Sequence, residues 1–176
     1  NVIYGNIHGG IFVRDNANPR IINNTITGAH DGAAIRVNHG LRDSESGSGS
    51  GDGSGNCFVA TAADESSNAA ISSLEIVNNI ITDNKDGLVS QGGQPCSGND
   101  YNNLSNNSSY DYTGFTKGPH DIFDAPVFDD PENGDYHLQA DSPCIDAGTS
   151  HGAPDTDMDG NLRPNGEGYD MGAYEF

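Results

Sequence analysis

Two eight-residue stretches, Arg20-Ile-Ile-Asn-Asn-Thr-Ile-Thr27 and Glu75-Ile-Val-Asn-Asn-Ile-Ile-Thr82, decide how this chain folds. They align without a gap, and each has a short apolar run, an Asn pair and a second apolar run. A further match, at a shorter spacing, joins Gly10-Ile-Phe-Val-Arg14 to Gly32-Ala-Ala-Ile-Arg36. The pattern predicts short strands that recur along the chain with turns between them.

The shorter of these spacings, about 22 residues, is typical of one coil of a parallel β-helix, where each coil buries its inner face by stacking on the next. We therefore predict an all-β fold, a right-handed single-stranded parallel β-helix with a long loop insertion and an irregular C-terminal cap. The predicted inward-facing residues are Ile21, Ile26, Ile35, Ile76 and Ile81.

The recurring Asn pair makes a second prediction about the stack. Asn23 should lie on Asn78, and Asn24 on Asn79, because Asn amides at the same place in successive coils can hydrogen-bond along the axis. An ordinary turn at each Asn pair is the alternative.

The repeat also divides the chain. Residues 1–97 are predicted to form β-helix coils, interrupted by an insertion at 38–71 that contains a Gly/Ser-rich linker at 46–55. Residues 98–176 are predicted to form the terminal coils and the cap. We see no long helical pattern in either part.

Composition limits the partners. The chain has 176 residues, 33% of them hydrophobic, and a net charge of −19 from seven Lys and Arg against 26 Asp and Glu. Nucleic acid and anionic membranes are disfavoured, because binding to either needs basic side chains. No apolar stretch approaches the roughly 20 residues that span a bilayer. The charge fits an extracellular protein whose carboxylates hold cations.

The three cysteines are Cys57, Cys96 and Cys144, so at least one is unpaired in a monomer. None forms a CxxC pair, which disfavours a zinc or redox site. A Cys57–Cys96 bridge is one arrangement, and the sequence does not choose among the pairings.

The C-terminal third carries a family resemblance. Gly134-Asp-Tyr-His-Leu138, Ser142-Pro-Cys-Ile-Asp-Ala-Gly148, Asp157-Met-Asp-Gly-Asn-Leu-Arg-Pro164 and Asp170-Met-Gly-Ala-Tyr-Glu175 resemble the C-terminal segment of bacterial right-handed parallel β-helix proteins in the pectate-lyase-like superfamily. The resemblance implies a secreted or surface-bound bacterial protein. It does not imply one activity, because the superfamily includes lyases, hydrolases and adhesins.

A second resemblance lies in the insertion. Cys57-Phe-Val-Ala-Thr-Ala-Ala63 is similar to a Cys-Phe-Ile box near the ends of some bacterial surface proteins, although Asp64-Glu65 follows here. The alternative is an apolar strand that docks on the β-helix flank.

Asp155-Thr-Asp-Met-Asp-Gly160 predicts a calcium site. Carboxylates at alternate positions with Gly at the sixth match the first half of a calcium loop. We predict Asp155, Asp157, Asp159 and Asn161 as Ca²⁺ ligands in a structural role. The twelfth position is Gly166 and not Glu, so the loop is not an EF-hand, and an acidic surface turn is the alternative.

Basic residues suggest a surface for polysaccharide. In the same two alignments, Arg14, Arg36 and Gln91 share one column, and His8, His30 and Lys85 share another. Arg14, Arg36, His30 and Lys85 are therefore candidates to face an anionic glycan. Solvated side chains on an exposed face are the alternative.

Two main functions remain open, besides a passive glycan-binding module in which Tyr101, Tyr110 and Tyr112 would stack on sugar rings. The favoured one is a non-catalytic extracellular structural protein, a fibre subunit, adhesin or matrix component, that self-associates head-to-tail through open β-helix ends. The other is a lyase or hydrolase of anionic polysaccharide, or its C-terminal part. We assign no catalytic residue, because no acid–base pair or Gly-x-Ser-x-Gly elbow stands out.

Overall fold

The computed structural model describes residues 1–14, 19–38, 74–91 and 96–176, which form an all-β structure without α-helices. Three parallel sheets dominate it. The first sheet contains β1 (Val2–Tyr4), β4 (Thr25–Thr27), β7 (Ile80–Thr82) and β10 (Asn103–Ser105). The second contains β2 (Ile11–Arg14), β5 (Ala33–Asn38), β8 (Asp86–Gln91) and β11 (Tyr110–Thr113). The third contains β3 (Arg20–Ile22), β6 (Glu75–Val77) and β9 (Asn99–Asp100).

The order of the strands shows how the sheets are built. From β1 to β11 the chain visits the first, second and third sheets in rotation, so that every third strand returns to the same sheet, beside the strand placed there before. All of these neighbours pair in parallel. The sheets thus grow together, one layer at a time, and a side chain that points inward in one strand meets the equivalent side chain of the next layer.

The predicted interior is confirmed at every position. The five predicted Ile residues belong to one buried cluster and expose at most 5% of their surface. Ile21 pairs with Ile76, and Ile26 pairs with Ile81. Alternate residues of each short strand face this interior, which is why three or four residues per strand suffice to fill a narrow core.

The register of the second sheet differs from the predicted one. Ile11 pairs with Ile35, whereas the sequence alignment matches Ile11 to Ala33. A shift of two residues leaves the same side chains facing inward, so both alignments bury apolar residues. The observed register places β-branched residues of similar size opposite each other. The same shift recurs between β5 and β8, where Asp86 pairs with Ala33 and not with Asp31.

Residues 124–176 form a flanking segment beside the sheets. It contains an antiparallel pair, β12 (Phe128–Asp130) and β13 (Asp135–Leu138), joined through a short 3-10 helix (Pro131–Asn133) and Gly134, and otherwise consists of turns.

The flanking segment touches several layers of the first sheet. The Tyr136 ring lies 5.6 Å from the ring of Tyr4 in β1. The Ala173 N–H donates to Thr25 Oγ1 in β4. Met171 packs with Ile80 of β7 in a buried cluster. The sequence predicts an end cap, whereas these contacts lie along the side of the layers. The outer face of the first sheet carries partly apolar side chains, and the segment removes them from water.

Other predictions fall outside the described residues. These are nearly all of the insertion at 38–71, its linker at 46–55, the Cys57–Ala63 segment and the pairing partner of Cys96. Cys96 itself is disulfide-bonded, while Cys144 is a buried free thiol. Burial raises the pKa of the Cys144 thiol to about 12, so it does not act as a nucleophile near neutral pH.

Candidate functional site

An amide ladder runs through the interior of the layers. Asn1 Nδ2 donates to Asn24 Oδ1 at 3.0 Å, Asn24 to Asn79 at 3.0 Å, and Asn79 to Asn102 at 2.9 Å. Asn102 Nδ2 then donates to Asp121 Oδ1 at 3.2 Å. The predicted stacking of Asn24 on Asn79 is confirmed, and the ladder extends beyond it in both directions. Every donor points toward Asp121.

Asp121 ends the ladder as a buried carboxylate that is 6% exposed. Besides Asn102 Nδ2, four donors reach it: the backbone N–H groups of Asn102 and Gly118, Asn99 Nδ2 and the Tyr112 hydroxyl. Burial and the hydrogen bond to Asp121 raise the pKa of Tyr112, which keeps the hydroxyl protonated as a donor. Asp121 is therefore a structural anion whose oxygens are occupied by the protein.

The other Asn of each pair turns outward and holds the flanking segment. Asn23 and Asn78 have φ angles of 52° and 56°, a conformation that Asn tolerates better than most residues. Asn78 Nδ2 donates to Asn23 Oδ1 at 3.3 Å, so this predicted stack is confirmed as well. Asn78 also exchanges two hydrogen bonds with the Thr149 backbone, and Asn23 Nδ2 donates to the Asp170 carbonyl.

The predicted calcium ligands point to different partners. Asp157 is 8% exposed, and its oxygens accept four N–H donors, from the backbones of Asp159, Asn161 and Glu175 and from Asn161 Nδ2. Although burial raises the pKa of Asp157, these hydrogen bonds outweigh it and hold the pKa below its usual value. Asp155 is exposed on the loop surface.

Asp159 instead faces His137. Asp159 Oδ2 lies 2.9 Å from His137 Nε2, while Asp135 Oδ1 lies 2.5 Å from His137 Nδ1. Burial lowers the pKa of His137, but the two carboxylates outweigh it and raise the pKa. Across the described ranges, no group of three or more His, Cys, Asp and Glu side chains is arranged to hold a metal ion. The calcium site stays a prediction.

The predicted basic columns are placed differently from expectation. Arg36 pairs with Phe12 on one side and Val89 on the other, whereas Arg14 pairs with Asn38, which in turn pairs with Gln91. The predicted column of Arg14, Arg36 and Gln91 is therefore wrong, because β2 and β5 pair two residues out of the predicted register.

The second predicted column is partly recovered. The Lys85 N–H donates to the Ala29 carbonyl, which sets exposed Lys85 beside exposed His30 in the adjacent layer. Their role toward a glycan stays a prediction.

A groove of about 450 Å³ lies on the outer face of the third sheet, where the sequence predicts no site. One wall contains Glu75, whose Oε2 lies 2.5 Å from Arg20 Nε and whose Oε1 lies 3.6 Å from His151 Nε2. The hydrogen bond from Arg20 is the main reason that the pKa of Glu75 lies below its usual value. The alignment of the two eight-residue stretches already placed Arg20 beside Glu75, and the two residues pair in register.

The opposite wall contains Asp100, whose side-chain partner is His120. Asp100 Oδ2 lies 2.9 Å from His120 Nδ1, and Asp100 Oδ1 accepts the backbone N–H groups of Tyr101 and His120. Burial raises the pKa of Asp100, but these hydrogen bonds outweigh it and lower the pKa. The His120 ring stacks on Tyr101 at 4.4 Å. No periodicity joins Asp100 to His120, so the sequence carried no signal for this pair.

The flanking segment has a charged interior of its own. Arg163 and Glu175 form a fully buried ion pair, and Arg163 also donates to the carbonyl oxygens of Asp170 and Gly172. Asp170 is fully buried, and its oxygens accept the N–H groups of Asp146 and Phe176. Burial raises the pKa of Asp170 to about 6. The hydrogen bonds and the ion pair of these groups stabilise the flanking segment, so we assign them a structural role.

The chain was compared with known proteins, and no family model, curated protein or solved structure matches it. In the described part of the chain, no helix is long and apolar enough to cross a bilayer.

Proposed function

We propose that the chain is a right-handed, single-stranded parallel β-helix of the pectate-lyase-like kind that serves as a non-catalytic structural module outside a bacterial cell. The rotation of β1 to β11 through three parallel sheets supports the β-helix assignment, because a coiling chain places its strands in this order. The acidic composition, with a net charge of −19, supports an extracellular location.

One observation supports the structural role most directly: the polar side chains inside the layers use their hydrogen bonds to hold the layers together. Asn24, Asn79 and Asn102 each hydrogen-bond to a neighbour in the ladder and to the backbone. Asp121, the buried carboxylate at the end, accepts five donors. A catalytic carboxylate needs an oxygen available to substrate, and this one has none.

Self-association belongs to the proposal, in an adhesin, matrix component or fibre. Strands β1, β2 and β3 lie at the edges of their sheets and can pair with another chain. The opposite edges of the same sheets are β10, β11 and β9, so we propose head-to-tail pairing between the two kinds of edge. Calcium bound at the acidic loop would relieve the repulsion between two chains of this charge.

The structural role is tested by assembly and by the absence of catalysis. Sedimentation from micromolar to millimolar protein, with and without calcium, should show concentration-dependent association. A monomer under all of these conditions contradicts self-association. The chain should also release no unsaturated uronate from pectin, alginate or chondroitin.

The second candidate, a polysaccharide lyase or hydrolase, is favoured by the groove on the third sheet. Glu75 and Asp100 stand on neighbouring strands, two residues apart in register, which separates their Cα atoms by roughly 8 Å. Both residues line one groove, as the two carboxylates that act on a glycosidic bond must. Ultraviolet detection of unsaturated product and a reducing-sugar assay distinguish lyase from hydrolase, and either signal, lost in Asp100→Asn, would establish an enzyme.

A further inference from the structure

We propose that Asn165-Gly166, an exposed turn of the flanking segment, is a site of spontaneous deamidation, where the chain modifies itself and weakens the contacts that hold residues 170–176. Asn is a chemically labile residue, and a following Gly favours its reaction because glycine has no side chain to shield the backbone nitrogen. The inference does not depend on self-association or on catalysis.

The reaction needs only the chain and water. The backbone nitrogen of Gly166 attacks Cγ of the Asn165 side chain, so that an N–Cγ bond forms and the Cγ–Nδ2 bond breaks. The attacking nitrogen gives its proton to water or hydroxide, and the leaving nitrogen takes a proton from water and departs as ammonia. A water molecule then opens the cyclic imide at either carbonyl, which leaves aspartate or isoaspartate at position 165.

A second Asn-Gly pair, Asn133-Gly134, provides an internal comparison. Both Asn residues are exposed, and each side chain donates one hydrogen bond through Nδ2. Asn133 donates to Asp130 Oδ2 at 2.7 Å. Asn165 donates to the Phe176 carbonyl at 2.9 Å. The two side chains are therefore held to a similar degree, and the difference between the pairs lies in the backbone.

The backbone nitrogen is engaged in one pair and free in the other. Asn133 ends the 3-10 helix, and the Gly134 N–H donates to the Pro131 carbonyl at 3.2 Å. The attack would have to break this hydrogen bond and the last turn of the helix. Asn165-Gly166 has no regular secondary structure, and the Gly166 N–H has no acceptor in the described part of the chain. The second pair is therefore the reactive one.

The fold requires glycine at position 166. Gly166 has a φ angle of 147°, and a Cβ atom there would lie 3.0 Å from Asp146 Oδ1. That carboxylate is fixed in place, because Asp146 Oδ1 accepts the Gly168 N–H at 2.6 Å. A larger residue that would shield the nitrogen is disfavoured here, so the turn geometry itself maintains the reactive sequence.

Deamidation would disturb a buried carboxylate. The Asn165 N–H donates to Glu175 Oε2 at 2.9 Å, and Glu175 forms the fully buried ion pair with Arg163. An aspartate at position 165 cannot donate to the Phe176 carbonyl and brings a second negative charge close to Glu175. An isoaspartate also lengthens the backbone by one carbon atom within this turn. Both products should lower the stability of the flanking segment.

The test is ageing of the whole chain in mildly alkaline buffer, followed by peptide mass spectrometry and enzymatic detection of isoaspartate. Two short peptides, 130–135 and 164–168, give the rates of the two sequences without the fold, and each rate in the protein is divided by that of its peptide. We expect position 165 to react at least about threefold faster than position 133, a factor within the strength of one backbone hydrogen bond. Equal corrected rates, or aspartate at position 165 without isoaspartate, would overturn the proposal.

Matched product mimics test the consequence. Asn165→Asp should lower the Tm by about 4 °C or more, whereas Asn133→Asp makes the same change at the other turn and should lower it by less than about 2 °C. Asn165→Gln should stop isoaspartate formation at position 165, because the longer side chain would have to close a larger, less favourable ring. Equal Tm values for the two aspartate variants would refute the predicted loss of stability, and isoaspartate that persists in the Asn165→Gln peptide would refute the assignment of the site.

Discussion

The layers formed by β1 to β11 and the flanking segment at 124–176 solve the same problem in different ways. Both bury many polar groups. The layers use neutral amides that repeat at fixed spacing, as in Asn79 on Asn102. The flanking segment uses charges that occur once, as in the buried pair of Arg163 and Glu175. Because the layers repeat, the same kind of amide contact stabilises each of them. The flanking segment depends on individual interactions, each of which occurs once.

The largest expected effect is in the layers. Asn79→Ala removes a fully buried amide that accepts from Asn24 and donates to the carbonyl oxygens of Ile21 and Val77 and to Asn102. Each buried polar group left without its hydrogen bond costs about 1–3 kcal/mol, so we expect a loss of about 5 kcal/mol in the free energy of unfolding. Urea denaturation measures it.

Asn133→Ala is the control for that experiment, because Asn133 is exposed and its side chain contacts exposed Asp130. We expect a change within about 0.5 kcal/mol. Similar losses for Asn79→Ala and Asn133→Ala would show that the ladder adds nothing to stability.

The next effect tests the flanking segment. Arg163→Met leaves Glu175 buried without its cation, which should cost about 3–4 kcal/mol. Arg20→Met removes the exposed pair with Glu75 and should cost less than about 1 kcal/mol. Thermal denaturation of both variants gives the difference. A larger loss of stability in Arg20→Met than in Arg163→Met would show that burial does not determine how much a charged pair stabilises this protein.

A smaller effect concerns pH. The pKa of Asp170 is raised to about 6, so the folded protein holds this proton more tightly than the unfolded chain does. Its contribution is therefore most favourable at low pH and declines as the pH rises from about 4 to 6, by roughly 2–3 kcal/mol. Asp170→Asn should remove this decline. Equal pH profiles for the two proteins between pH 4 and 7 would contradict the assignment.

The smallest effect concerns calcium. Asp157 already accepts four N–H donors, so a cation at the predicted loop gains ligands mainly from Asp155 and Asp159. We expect EDTA to lower the Tm by no more than about 2 °C. A drop of ten degrees or more would mean that calcium, and not the N–H donors, shapes the loop.

The same contrast explains what the sequence could reveal. The sequence predicts the contacts of Ile21 with Ile76 and of Asn23 with Asn78, because aligning one repeat on the other identifies both partners of each contact. The register of Ile11 with Ile35 was missed by two residues, since alternating side chains make both registers bury apolar groups.

Contacts without a period gave no such signal. Asp121 reaches Asn102 after 19 residues and Asp100 reaches His120 after 20, and neither spacing recurs in the repeat. The pairing of Arg163 with Glu175 likewise depends on turns within the flanking segment. For the groove, the repeat predicts the wall where Arg20 lies beside Glu75. The opposite wall could not be predicted from the sequence.

The direction of the amide ladder limits how this molecule can change its length. An extra 23-residue unit with an Asn in register could be inserted between Asn79 and Asn102, because its amide would receive a hydrogen from one neighbour and give one to the other. A unit added past Asp121 would meet a carboxylate with no hydrogen to give. Gene duplication could therefore extend the stack from within, while growth beyond Asp121 would first require its replacement by Asn.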